Sequence, residues 1–268
     1  MPTHDRWRSK FQIKEGAWIF VPTDETIASG RQVKALIEEC WSPPEHYYHL
    51  RKGGHVRALQ EHTKHKFFIH LDIKNFFGHI NKSRITRSLK EHIPYEKARD
   101  IAVKSTVRLP GAAEPKYILP FGFIQSPIIA SVCLSKSALG RHLSRLKQRN
   151  DLSVSVYMDD ILVSGNNLEG LKQELATIEA KSEKSGLPLN SEKQEGPNDC
   201  VTAFNIQISQ GLLKIVSTKL GEFASTYSNS KNEHQRTGIL NYVLSINPAQ
   251  AGDSFKISNN SISGSDLC

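Results

Sequence analysis

The chain has 268 residues, with 35 Lys and Arg against 27 Asp and Glu and a formal net charge of +8; its length allows a sizeable buried core and its charge favours a polyanionic partner. Apolar residues at 38% and charged residues at 23% describe a folded globule, and no apolar run approaches the roughly 20 residues of a membrane span. His4, Asp5, Arg6, Arg8 and Lys10 crowd a start that has no apolar stretch, so no secretory leader is expected, while Cys40, Cys133, Cys200 and Cys268 lie too far apart for a zinc knuckle or disulfide framework, which makes the cytoplasm the expected setting.

Taken along the chain, helix and strand signals alternate. Gln32 to Trp41 places Val33, Leu36, Ile37 and Cys40 at helical spacing and stops before Pro43-Pro44. Lys66 to Phe77, KFFIHLDIKNFF, is a β-rich run too apolar for an edge strand. Asn81 can cap a helix with Ile85 and Leu89 inward and Lys82, Arg84, Arg87 and Lys90 outward. Ser126-Pro127 reads as an N-cap hydroxyl followed by a proline at the first helical position. From there Ile128, Ile129, Val132, Leu139, Leu143 and Leu146 predict one long buried helix face.

Val154 to Met158 and Ile161 to Ser164 are strand-like and separated only by Asp159-Asp160, which predicts a hairpin with two carboxylates at its tip. Leu168, Leu171, Leu175 and Ile178 define an amphipathic helix that Gly186 can end. A second hairpin is expected over Ala203 to Val216, turning near Gln210-Gly211. Beyond it, Lys219 to Ser245 shows one amphipathic segment, with Ile239, Leu240, Val243 and Leu244. Gly252 to Cys268, rich in Ser, Asn and Gly, is expected to be disordered or ordered by a partner. The order predicts an α+β domain whose antiparallel sheet carries helices on one face.

Two carboxylate positions carry the chemistry. Asp72 ends an apolar strand and Asp159-Asp160 sits at a hairpin tip. Burying such groups is costly unless something positive holds them. Converging carboxylates suit Mg²⁺, which binds through one or two of them plus substrate phosphates. Two such ions clamp both oxygens of an in-line phosphoryl displacement. The bland alternative is that Asp159-Asp160 is only a turn dipeptide.

The surrounding residues favour the chemistry. FIHLDIKNFFGHI resembles the first palm motif of reverse transcriptases, LPFGFIQSPIIASVCL the second and VYMDDILVSG the third. GLPLNSEKQE is similar to the fourth, and AFNIQISQGLLKIV falls where the primer-grip hairpin would lie. These elements keep the family's order over more than half of the chain. DIKNFF and the short length are most similar to bacterial retron-type and phage-defence-associated enzymes. The resemblance implies a right-hand polymerase: a fingers segment over 1–66, a palm with the remaining fingers over 67–217, a short thumb over 218–250 and a disordered tail over 251–268.

It also implies roles. Asp72 and Asp159 would be the main ligands of two Mg²⁺ ions, with Asp160 assisting and the Ile73 carbonyl offering an oxygen. Phe77 matches the aromatic that closes the sugar 2′ side, and strand alternation would put it opposite Phe76. Lys193 matches a lysine that protonates departing pyrophosphate, against the plain reading of a solvated surface lysine. Gln125, Ser126 and Pro127 would shape the turn against the template base. Phe121 stands where the family usually has Gln, so its nucleotide contact would be stacking, and Asn75 replaces a frequent second acid. Cations for the triphosphate would come from Arg51, Lys52 or Arg57 in RKGGHVR, or from Lys74. His46, His49, His55, His62, His65, His70 and His79 fit no zinc spacing and read as surface or RNA-contacting groups.

The expected function is Mg²⁺-dependent, RNA-directed DNA synthesis in a retron-like or antiphage system. An RNA template, a nucleic-acid primer and a cognate non-coding RNA or protein subunits are the expected partners, with no membrane; a homo-oligomer is left open. Two rivals stand beside it: a template-independent or protein-primed nucleotidyl transferase of the same fold, and a non-catalytic nucleic-acid-binding scaffold.

Overall fold

The structure, a computed structural model, describes residues 6–14, 17–111 and 114–255. It opens on an antiparallel hairpin, β1 (Trp7–Lys14) and β2 (Ala17–Pro22). Alternation turns Phe20 inward, 1% exposed, and leaves Phe11 and Ile13 on the outer face. Thr23 then caps α1 (Asp24–Cys40), its hydroxyl accepting the Thr26 N–H. A 3₁₀ turn at Tyr48–Leu50 leads to α2 (Gly54–Gln60).

β3 (Phe67–Asp72) follows, and Asn75, in the left-handed region at φ 48°, bends the chain into a 3₁₀ turn over Phe76–His79. α3 (Lys82–Leu89) starts as expected, with the Asn81 side chain accepting the Arg84 N–H at 2.9 Å. α4 (Tyr95–Ser105) and a short hairpin, β4 (Val107–Arg108) with β5 (Tyr117–Ile118), complete this region.

The long helix expected from Ser126 is two helices, α5 (Ser126–Ser135) and α6 (Ala138–Lys147). Ser137 restarts the second by accepting the Gly140 N–H. Gly140 packs so tightly on the Leu134 carbonyl that a Cβ would lie 2.0 Å from its oxygen, so only glycine fits the corner. Nor is Ser126 the cap: it is the first helical residue, Gln125 holds the N-cap position, and the buried Ser126 hydroxyl has no partner.

β6 (Leu152–Tyr157) and β7 (Asp160–Gly165) form the hairpin, followed by α7 (Leu168–Ser185), which Gly186 ends at φ 56°. β8 (Glu195–Asn198), β9 (Cys200–Ala203), β10 (Ile206–Ser209) and β11 (Leu212–Ile215) come next. The β10–β11 hairpin turns where the sequence predicted, but Ala203 belongs to β9. The palm sheet is antiparallel in the order β6-β7-β3-β8. β3 is covered on both faces, which explains its unbroken apolar run. Ile69 and Leu71 join Ile129, Val132, Leu143, Leu171 and Ile178 in the main core. Phe68, with Leu162 and Leu59, packs instead against the β9–β11 sheet and the C-terminal helices. Each such side chain contributes about 1.5–3 kcal/mol when fully buried.

The C-terminal region is larger than the single short helix the sequence predicted. It holds α8 (Ser217–Asn229), α9 (Glu233–Ile246) and α10 (Pro248–Phe255). The start of the expected disordered tail is helical instead, since Ala251 and Phe255 are buried with Val243 and Ile246; residues 256–268 lie outside the described ones. Among the described residues no helix is long and apolar enough to cross a membrane.

Candidate active site

The register of the palm sheet sets Asp72, at the end of β3, directly opposite Asp160, at the start of β7. Tyr157 pairs with Asp160, so the hairpin turn consists of Met158 and Asp159, and Asp160 is a strand residue rather than part of the tip. Met158 has φ 60°, the first position of a two-residue hairpin turn that usually takes glycine. The Asp159 carbonyl accepts the Ile73 N–H at 2.9 Å, fastening the turn to the end of β3. Three carboxylates from two distant stretches are thereby gathered at one sheet end.

Their neighbours are few. Lys193 donates to Asp72 Oδ1 at 2.5 Å and the Asn190 amide reaches Oδ2 at 3.4 Å. His70, two residues before Asp72 on the same face, has Nε2 2.9 Å from Asp160 Oδ1. Burial, then repulsion from Asp160, raises the Asp159 carboxyl to about 6; Asp72 adds to this and Lys193 opposes it. The hydrogen bond to Asp72 is the main cause that holds the Lys193 ammonium above its ordinary value. This is negative charge only partly offset by one lysine.

Phe76 and Phe77 lie in the 3₁₀ turn, so strand alternation does not separate them; they are 3% and 5% exposed. Phe77 still meets Phe121, with ring centroids 4.7 Å apart, and Phe121 is 40% exposed. Phe121 is anchored by its carbonyl, which accepts the Phe20 N–H at 3.0 Å. Gly122 makes that approach possible: it has φ 101°, and a Cβ there would lie 2.2 Å from the Phe20 oxygen. Lys74 projects an exposed side chain one residue beyond the buried Ile73. Gln125 is buried, its amide donating to Ser105 and its oxygen turned to Gly30 without a partner, so it packs inside rather than facing the cleft.

Arg51, Lys52 and Arg57 are exposed. Their turn borders Tyr157: the His55 ring lies 6.0 Å from Tyr157, 5.2 Å from Phe204 and 5.8 Å from Tyr242 of α9. Arg51 also donates to the Glu45 carbonyl.

The histidines are not a surface set. His46, His62, His65 and His70 are buried. His62 lies between Ser164 and Ser155 at 2.7 and 2.8 Å, and His65 meets the same Ser164 at 2.7 Å. The missed signal was the pair of strands LSVSVY and ILVSG, whose buried serines require polar partners. His49, expected as a surface or RNA-contacting group, instead touches the hairpin turn itself. Among the described residues no group of three or more His, Cys, Asp or Glu is arranged to hold a metal ion by itself.

Comparison with known proteins agrees with this architecture. Residues 27–208 match the family described as reverse transcriptase (RNA-dependent DNA polymerase). The retron Mx65 reverse transcriptase of Myxococcus xanthus is 26% identical over 209 residues, covering 71% of this chain and 48% of the relative. The chain thus spans about half the length of the curated relative it matches. Telomerase from Candida albicans, solved with a TWJ fragment of telomeric RNA, is similar in fold: TM-score 0.53 at 10% identity, over 88% of this chain and 48% of that one. A foamy viral protease-reverse transcriptase in complex with double-stranded DNA matches 87% of this chain and 35% of its own at 18% identity, with a TM-score of 0.48. A family match over most of the chain, with the carboxylates at the paired strand ends, places the chain in the reverse transcriptase (RNA-dependent DNA polymerase) family.

Proposed function

We propose that the chain is an RNA-directed DNA polymerase that adds deoxynucleotides to a 3′-hydroxyl. The observation that carries this reading is the convergence of Asp72, Asp159 and Asp160 at one end of the palm sheet. A scaffold that only binds nucleic acid gains nothing from a partly buried acidic cluster that repels phosphate.

The donor set fits divalent cations. The oxygens are hard, and the raised Asp159 carboxyl marks negative charge that a cation would relieve. Among the described residues no group of carboxylates is arranged to hold an ion by itself, so substrate phosphates would complete the coordination, as Mg²⁺ usually requires. Asp72, Asp159 and Asp160, with the Ile73 carbonyl, would hold two Mg²⁺ ions. When bound, the ions supply Lewis-acid stabilisation to the attacking and leaving oxygens.

The chain's own residues do the rest. The 3′-oxygen bonds to the α-phosphorus, its proton passes to solvent, and the bond to the β-phosphate bridging oxygen breaks. Lys193, kept protonated by Asp72, then gives a proton to the departing pyrophosphate. Phe77, backed by Phe121, fills the space beside the sugar 2′ carbon. Lys74, exposed two residues after Asp72, would serve as the triphosphate cation, and Arg51, Lys52 and Arg57 would suit a strand passing Tyr157 and Phe204.

The likeness to a retron enzyme supports a cognate non-coding RNA as template and partner, within a retron-like or antiphage system. The deciding experiment is primer extension on an RNA template with Mg²⁺, with the template omitted in a parallel reaction. Template-dependent deoxynucleotide addition is expected; equal addition without template would move the assignment to a template-independent transferase.

A further inference from the structure

We infer that α3 and the helix ends around it form a second phosphate-binding surface, which takes the backbone of RNA flanking the copied stretch. The inference rests on the polymerase reading above. Three adjoining cavities of about 740, 490 and 450 Å³ surround α3. Among the described residues, nine Lys and Arg side chains line them against only Glu91 and Glu114. Glu91 is already engaged by Lys136 at 2.7 Å. Some cations elsewhere on the surface are paired with acids, as in Lys104–Asp100, Arg149–Asp151 and Lys172–Glu169. Around α3 the positive charge is left in excess.

Several of these heads are held in place. The Lys82 ammonium sits 3.1 Å from the centre of the Tyr117 ring, and Arg84 donates to the Ser185 carbonyl at 2.7 Å. The first cavity begins at Gly78 and His79, immediately after Phe77. The third ends at Lys136 and Arg141, where α5 gives way to α6. None of the three carboxylates lines any of them. The track therefore starts beside the proposed nucleotide site and leads away from it, as a strand continuous with the template would. The exposed Ser83 hydroxyl, which lines all three cavities, adds a neutral donor of the kind that accompanies Arg and Lys at phosphates. The third cavity has no Leu, Ile, Val or aromatic lining, so it lacks the apolar anchor a protein partner would need.

The test is fluorescence-anisotropy titration of labelled RNA templates, with and without single-stranded flanks, across a salt series. The proteins compared are wild type and Arg87→Glu with Lys90→Glu, both positions exposed. Flanks should tighten binding to wild type, and the double variant should lose most of that gain. Removing two phosphate contacts should flatten the salt slope for flanked RNA by about 1.4 at roughly 0.7 per contact on a single strand. An unchanged flank gain and slope in the variant would overturn the inference. Displacement of the flank by poly-glutamate as readily as by RNA would also overturn it, in favour of an acidic protein partner. Extension of the unflanked template by wild type is scored separately, so its failure counts against the polymerase reading and not against this surface.

Discussion

His49 Nδ1 accepts the Met158 N–H at 3.1 Å, while its Nε2 lies 2.7 Å from Ser131 Oγ. With Nδ1 accepting, the ring must be neutral and Nε2–H must donate to the serine, whose hydroxyl in turn bonds the Pro127 carbonyl at 2.9 Å. Burial supports the neutral form by lowering the ring's pKa to about 4. Helix α5 is thus coupled through one imidazole to the turn that presents Asp159. Met158, at φ 60°, pays the steric cost of a left-handed non-glycine residue, and the bond from its amide helps to hold it there.

His49→Leu should therefore lower kcat for nucleotide addition by about tenfold, the worth of one lost buried acceptor, with KM little changed. His49→Gln, which keeps an acceptor oxygen, should recover part of the loss. Single-turnover extension over a nucleotide series checks both. Equal kcat in the two variants would mean that His49 only fills space.

Asp159→Asn with Asp160→Asn should abolish extension while RNA affinity stays near wild type. The loss should reach about 10³-fold or more, since several kcal/mol of transition-state stabilisation depend on these groups. Extension near the wild-type rate would show that the carboxylates are not the reactive site.

Much of this was legible in the chain, and the failures share a cause. Period-2 alternation and the apolar run of β3 were readable locally, as was the Asn81 cap. So was the convergence of Asp72 with the hairpin, because Asp72 ends one strand and Asp159-Asp160 lies where the hairpin strands meet. What could not be read were partners from distant sequence. Gly140 interrupts a helix because the Leu134 carbonyl presses on it, and the histidines are buried because strand serines oppose them. Similarly, α10 is retained through Gln250, whose side chain accepts the Ile215 N–H and donates to the Ile215 carbonyl on an edge strand. Composition made that segment look like a tail; the exposed strand edge gives it a place to dock.

Sugar selection should depend on a pair of rings rather than on one. Phe77→Val opens space beside the sugar, and Phe121→Ala removes the ring that supports Phe77 at 4.7 Å. Either change should raise ribonucleotide use relative to deoxynucleotide use, with Phe77→Val worth about 1–3 kcal/mol or roughly tenfold and more. Competition between the two nucleotide types at one template position measures it. Unchanged discrimination in both variants would place the gate elsewhere.

Acid should destabilise the fold well before ordinary carboxylates titrate. Burial depresses His62 to about 3 and His46 to about 4, against 6.5 for a free imidazole. Below pH 6.5 the unfolded chain takes up protons that these buried rings refuse, so stability is full above 6.5 and falls as pH drops toward 4. Each ring contributes a slope of up to about 1.4 kcal/mol per pH unit. Asp159, raised to about 6, works in the opposite sense, since the folded state binds its proton first. It is a single group set against two fully buried rings and His49. Carboxylates held below their ordinary value, such as Asp151 and Glu91, act only at lower pH. The urea midpoint should therefore fall steadily between pH 6.5 and 5, and His62→Asn should shed about one proton's worth of that slope whatever it costs at pH 7. A midpoint constant across this window would mean that the buried histidines are already protonated in the folded protein, and that their serine contacts are made by imidazolium.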